Sequence, residues 1–150
     1  MKTMNANLMT RANLALRKFP NCRFQNRSGC VLRDGGDLTI LTTEQTATEA
    51  LLAARKLERE CVKAKIISIR TDSPMNRDLF REACRTGMVF VIDSPDMTGR
   101  WRRMMETAFE SESPLRIRSV RLSAASAENG LAEMYDKGAA EIYEQIVNAA

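Results

Sequence analysis

The chain has 150 residues, 44% hydrophobic and 28% charged, which suits one globular domain with one core and excludes a disordered chain. Its 23 basic and 19 acidic residues leave a net charge of +4, with both signs interleaved, so the balance does not call for a nucleic-acid partner. The absence of histidine excludes Ser-His and Cys-His catalysis and His-ligated metals.

Residues 1–27 read as a helical leader and linker. Leu8, Ala12, Ala15, Leu16 and Phe19 recur at helical spacing, and Pro20-Asn21 closes the run. Core or partner packing is the better use of this thin apolar face than a membrane surface. No apolar stretch behind Met1 has the form of a secretory signal, and no run approaches the roughly 20 residues of a membrane span. A cytoplasmic location is therefore expected. The four cysteines, Cys22, Cys30, Cys61 and Cys84, form no CxxC pair and are expected as buried free thiols.

From residue 28 onward strands alternate with helices. Gly29 to Leu32 predicts a short strand, ended by the turn-forming Arg33-Asp34-Gly35-Gly36. Asp37 to Thr42 is a stronger strand, followed by a helix with Thr43 as N-cap and an apolar stripe of Ala47, Ala50, Leu51, Ala54 and Leu57. Lys65 to Ile69 predicts a third strand. A helix over Asn76 to Thr86 turns Leu79, Phe80 and Ala83 inward and stops at Gly87. Met88 to Ile92 is the most continuously apolar run and is placed centrally in the sheet. A helix carries Trp101, Met104, Met105, Ala108 and Phe109, and Leu115 to Leu122 is the last strand. A final helical region, broken near Gly130 and Gly138, bears Ile142, Ile146 and Val147. Helical crossovers between such strands call for an α/β, three-layer α/β/α domain over residues 28–150 with a mostly parallel sheet.

Several segments also carry a family likeness. Ser28 to Leu41, with its strand, Arg33-Asp34-Gly35-Gly36-Asp37 turn and second strand, resembles the entry to the C-terminal domain of transketolase-like thiamin diphosphate enzymes: transketolases, deoxyxylulose phosphate synthases and pyruvate dehydrogenase beta subunits. Thr48 to Ala54 resembles the Ala-rich helix of that family, Ile67 to Asn76 its Arg-Thr-x-x-Pro turn, and Thr86 to Asp93 the next strand. The resemblance implies a five-stranded sheet whose first strand is antiparallel to the rest. It departs from the family at Thr42-Thr43, where a glycine is usual, at Asn76, usually acidic, and at Gly99, usually a glycine pair.

The resemblance further implies that thiamin diphosphate and magnesium belong only to a complete enzyme, held between two other domains. Their magnesium site uses a Gly-Asp-Gly followed by asparagine, and this sequence contains no Gly-Asp-Gly. Asp34-Gly35-Gly36-Asp37 reads instead as turn chemistry. No catalytic, cofactor-binding or metal-ligating residue is nominated. The chain is expected to bind no cofactor and catalyse nothing alone, and to act in subunit assembly within a transketolase-like transferase complex. Its partner would be a companion subunit carrying the cofactor-binding domains, or another copy.

The alternative is a small-anion or nucleotide-binding regulatory domain. Its candidate residues are Thr42 and Thr43, at a strand end where backbone N–H groups can face an anion, together with Arg70. Arg77, Arg81 and Arg85 align at i, i+4 and i+8 with Asp78 and Glu82 beside them, and read as a solvated, salt-bridged face. Arg100, Arg102 and Arg103, with Arg116, Arg118 and Arg121, lack the interleaved aromatics of a single-strand nucleic-acid surface.

Overall fold

In the computed structural model the described residues are 29–70, 77–93, 116–123 and 131–149. The expected leader over 1–27 and the helix around Trp101 lie outside them. Five strands form one sheet: β1 (Gly29–Arg33), β2 (Leu38–Thr43), β3 (Ala64–Ile69), β4 (Met88–Asp93) and β5 (Arg116–Arg121). The described helices are α1 (Ala47–Glu58), α2 (Arg77–Cys84) and α3 (Leu131–Ala149).

The spatial order is β1-β3-β2-β4-β5. Strands β2 to β5 run parallel, and β1 pairs antiparallel with β3. The inner strands consist mostly of β-branched and aliphatic residues, which fit a surface packed on both sides. All six residues of β2 and all six of β3 are buried. Met88–Asp93 is an interior strand as expected, but the middle of the sheet belongs to β2.

The two-residue period of the strands sorts their side chains into two cores. On one face Leu32, Ile40, Ile66, Phe90 and Ile92 pack with Ala50, Ala54 and Leu57 of α1 and Ala139, Ile142 and Ile146 of α3. On the other, Leu41, Ile67, Ile69, Val89 and Val91 pack with Leu79 and Ala83 of α2. The result is three layers, helices on both sides of one sheet. Each fully buried leucine or isoleucine contributes about 1.5–3 kcal/mol relative to an exposed one.

The small residues of α1 have a clear use. Ala47, Ala50, Ala53 and Ala54 are wholly buried, so the helix lies close to the sheet while α3 packs beside it. Helix α3 runs without a break through Gly138, where the sequence pattern predicted an interruption. A Cβ at Gly138 would lie 2.7 Å from Cγ of Glu49, so this glycine makes room for a side chain of α1. Gly87, at φ +75°, does end α2 as expected, its N–H donating to the Cys84 carbonyl at 3.1 Å.

Two local expectations need correction. Thr43 precedes a three-residue 3-10 helix, Glu44–Thr46, and the α-helix proper begins at Ala47, with Thr46 in the N-cap place. Neither threonine caps with its side chain, and the Thr46 hydroxyl turns back to Thr42 instead. Among the cysteines, Cys30 is buried and Cys84 half-buried, but Cys61 is exposed at φ 63° in the turn after α1.

Candidate functional site

Ligands of open parallel sheets gather beyond the carboxyl ends of the strands, where the chain direction switches. Here β3 lies on one side of β2 and β4 on the other, so connections leave the ends of β2 and β4 in opposite directions. Thr43 and Asp93 close those two strands and flank the switch point.

The three candidate anion-binding residues come together at this end of the sheet. Thr43 pairs in register with Ile69, and Arg70 follows directly, exposed. The two threonines are less available. Thr42 is 0% exposed and Thr43 1%. The Thr42 hydroxyl donates to the Thr43 carbonyl at 3.1 Å and lies 2.7 Å from the Thr46 hydroxyl. One hydroxyl has one proton, so Thr46 donates to Thr42 and Thr42 to the carbonyl. That relay points inward. Any anion here would meet the backbone of the 3-10 turn and the Arg70 guanidinium, with the Glu44 carboxylate in the same turn opposing it.

The Asp34-Gly35-Gly36-Asp37 run serves the turn between β1 and β2. Oδ1 of Asp34 accepts the Gly35 N–H at 3.0 Å, and Oδ2 of Asp37 accepts the Lys63 N–H at 2.7 Å. The Asp37 N–H in turn donates to the Lys63 carbonyl at 3.0 Å. These carboxylates hold backbone, as Asx-type turns do. Among the described residues, no cluster of three or more cysteine, aspartate and glutamate side chains is placed to hold a metal. No described helix is long and apolar enough to cross a membrane.

Two buried acids escaped the sequence reading. Glu49, in the first turn of α1, is 6% exposed, and its Oε2 has no hydrogen-bond partner. Burial raises its carboxyl from 4.5 to about 6, partly offset by a backbone hydrogen bond. Tyr135 of α3 is the titratable neighbour, its hydroxyl pushed up first by burial and then by the Glu49 charge. Glu82 of α2 was expected on a solvated face, yet it is 2% exposed. Its Oε1 accepts from Lys65 Nζ of β3 at 2.7 Å, while Arg85 Nε lies 3.6 Å from Oε2. The signal was present in the spacing: Leu79, Glu82 and Ala83 stand at i, i+3 and i+4, on one side of the helix.

These groups hold helices to the sheet and to each other. The described geometry contains binding and packing chemistry, and the hydroxyls of Ser123 and Tyr143 each meet a carboxylate, of Glu141 and Glu60.

The comparisons with known proteins agree with this architecture. The family described as "Transketolase, C-terminal domain" matches residues 28–126. A 6-deoxy-6-sulfo-D-fructose transketolase subunit from Clostridium sp. (strain MSTE9) is 28% identical over 131 residues, covering 87% of this chain and 41% of that protein. The beta subunit of pyruvate dehydrogenase E1 from Bacillus subtilis is 35% identical over 63 residues, 41% of this chain and 19% of its own. Among solved structures, a split-gene transketolase described as an inactive beta4 tetramer superposes with a TM-score of 0.58 at 23% identity, over 83% of this chain and 43% of that one. Transketolase from Campylobacter jejuni gives 0.56 at 8% identity, over 85% and 20%. The chain thus spans less than half the length of each of these relatives.

Proposed function

The chain belongs to the transketolase C-terminal domain family, and from that premise we propose that it is a non-catalytic C-terminal-type domain or split subunit of a thiamin diphosphate-dependent transketolase-like enzyme, acting in subunit assembly. Its companion carries the cofactor-binding domains, and the work is done in the cytoplasm. The observation that carries this reading is the family match over residues 28–126. Two relatives add to it: one named as a transketolase subunit, which this chain covers for 41% of its length, and one described as a split-gene transketolase. The sequence supports it from the other side, since no Gly-Asp-Gly is present to hold magnesium against a diphosphate.

Two measurements test the two halves of the proposal. Titration calorimetry of the chain with thiamin diphosphate and Mg²⁺ is expected to show no tight, magnesium-dependent binding, and tight binding would overturn the non-catalytic reading. Co-purification with a subunit that carries the two cofactor-binding domains, read by sedimentation, is expected to give one complex. Separate species at high concentration would overturn the assembly role.

A second reading, a small-anion or nucleotide-binding regulatory domain, is favoured by one observation: the β2–β3 register sets Arg70 beside Thr43 at the switch-point end of the sheet. A thermal-shift screen against phosphorylated metabolites discriminates. Stabilisation by one compound, lost in Arg70→Ala, supports it; no shift removes it.

A further inference from the structure

Strand β5 closes the sheet, and of its six residues only Val120 is buried. The Arg116 N–H donates to the Gly87 carbonyl at 3.0 Å, and the register pairs Met88 with Arg116. By the alternation of a parallel ladder, Arg116, Arg118 and Val120 then direct their peptide groups toward β4, while Ile117, Ser119 and Arg121 direct theirs outward. The side chain of Gln145 confirms that direction. Its Oε1 accepts the Arg121 N–H at 2.9 Å, and its Nε2 donates to the Arg121 carbonyl at 2.7 Å. A helix side chain therefore occupies the place a neighbouring strand would take, at one end of the edge. At Ile117 and Ser119 no described residue bonds the outward groups.

The side chains around these two open rungs are distinctive. Arg116, Arg118 and Arg121 are exposed, and none of the three forms an ion pair among the described residues. Arg116 and Arg118 share a face with Val120, and Ile117, 37% exposed, stands on the other. We propose that this edge of β5 docks an extended acidic segment of a partner protein, which adds as a strand along Ile117 and Ser119 and sets its carboxylates against Arg116 and Arg118.

A second copy of the chain fits poorly. The antiparallel self-pairing that uses both open rungs and leaves Gln145 in place puts Arg118 opposite Arg118, and like charges directly opposed destabilise a strand pair. Cationic side chains on an edge also turn away neutral and basic strands. The same arginines that guard the edge against those strands favour an acidic one, by charge complementarity at two backbone rungs. The proposal does not depend on the companion-subunit reading, because the edge is tested with a peptide alone.

The experiment measures fluorescence anisotropy of the full chain with a short labelled peptide alternating Glu and Val, against a Lys-Val control. The Glu-Val peptide is expected to bind and to weaken steeply with salt, and the control not to bind. Arg116→Glu with Arg118→Glu should weaken it by about tenfold or more, as expected when close charge pairs are reversed. Ser119→Pro should do the same, since it removes an outward N–H at a position where an edge strand tolerates proline. Should that variant fail to fold, a peptide N-methylated at alternate residues removes the rung from the other side and must lose affinity. No binding, equal binding of the control, or full affinity of the N-methylated peptide overturns the proposal. So does a wild-type dimer in sedimentation that Arg118→Glu abolishes or reshapes.

Discussion

Lys65 Nζ, in the second residue of β3, donates to Glu82 Oε1 of α2 at 2.7 Å and also to the Glu82 carbonyl at 3.3 Å. Both side chains are almost wholly enclosed, 5% and 3% exposed, so one charge pair bridges a sheet position and the helix that covers it.

That pair predicts an asymmetry. Glu82→Leu alone leaves the buried Lys65 ammonium without its carboxylate and should cost about 3–5 kcal/mol in urea unfolding, while Lys65→Met leaves Glu82 its longer contact with Arg85 and should cost less. The double variant removes both charges and should recover most of the loss. Equal and additive single costs would show that the two groups do not interact.

Gly138 and Glu49 should be coupled in the same sense. Gly138→Ala puts a methyl 2.7 Å from Glu49 Cγ and should destabilise by about 1–3 kcal/mol. In a Glu49→Ala background the obstacle is gone, and the same change should stabilise by up to about 1 kcal/mol through helix propensity. A double-mutant cycle with no coupling energy refutes the contact.

The buried carboxyl of Glu49 sets a pH dependence. Its folded value, about 6, lies above the ordinary 4.5, so the folded chain holds a proton there that the unfolded chain releases. Its contribution is fully present below pH 4.5 and is lost as pH rises through 6, by about 2 kcal/mol in total. Tyr135, the neighbour that feels its charge, titrates far above this window. Glu49→Gln should flatten that part of the stability profile and raise stability at pH 7. An unchanged slope between pH 4.5 and 6 in the variant is the contrary result.

Thr42 and Thr46 form the third buried couple. Thr42→Val takes from the buried Thr46 hydroxyl the oxygen it bonds and should cost about 1–3 kcal/mol. Thr42→Val with Thr46→Val should cost less than the sum of the two singles. Hydrogen exchange of the Ala47 to Ala50 amides in α1 reads the same effect locally.

The elements themselves were legible because their signals are short-range. Leu38–Thr43, Ala64–Ile69 and Met88–Asp93 fall within one residue of the aliphatic runs that announced them, and Gly87 stops its helix where predicted. The antiparallel first strand came with the family likeness, since no local pattern in Gly29–Arg33 states its direction. Of the candidate anion residues, Thr42, Thr43 and Arg70 do meet at one sheet end, but the inward turn of the Thr42 hydroxyl depends on Thr46, which no local pattern marks as its partner.

Periodicity within a segment says which side of a helix or strand is apolar, and for this chain that was enough to sort residues into strands, helices and a three-layer domain. It says nothing of what lies across from a given side chain. That Glu82 meets Lys65, that Gly138 yields to Glu49, and that Gln145 covers one rung of β5 are contacts between elements 17 to 89 residues apart in sequence. Hydrogen bonds and charge pairs act over a few ångströms, so only the packed chain brings such groups within reach of one another.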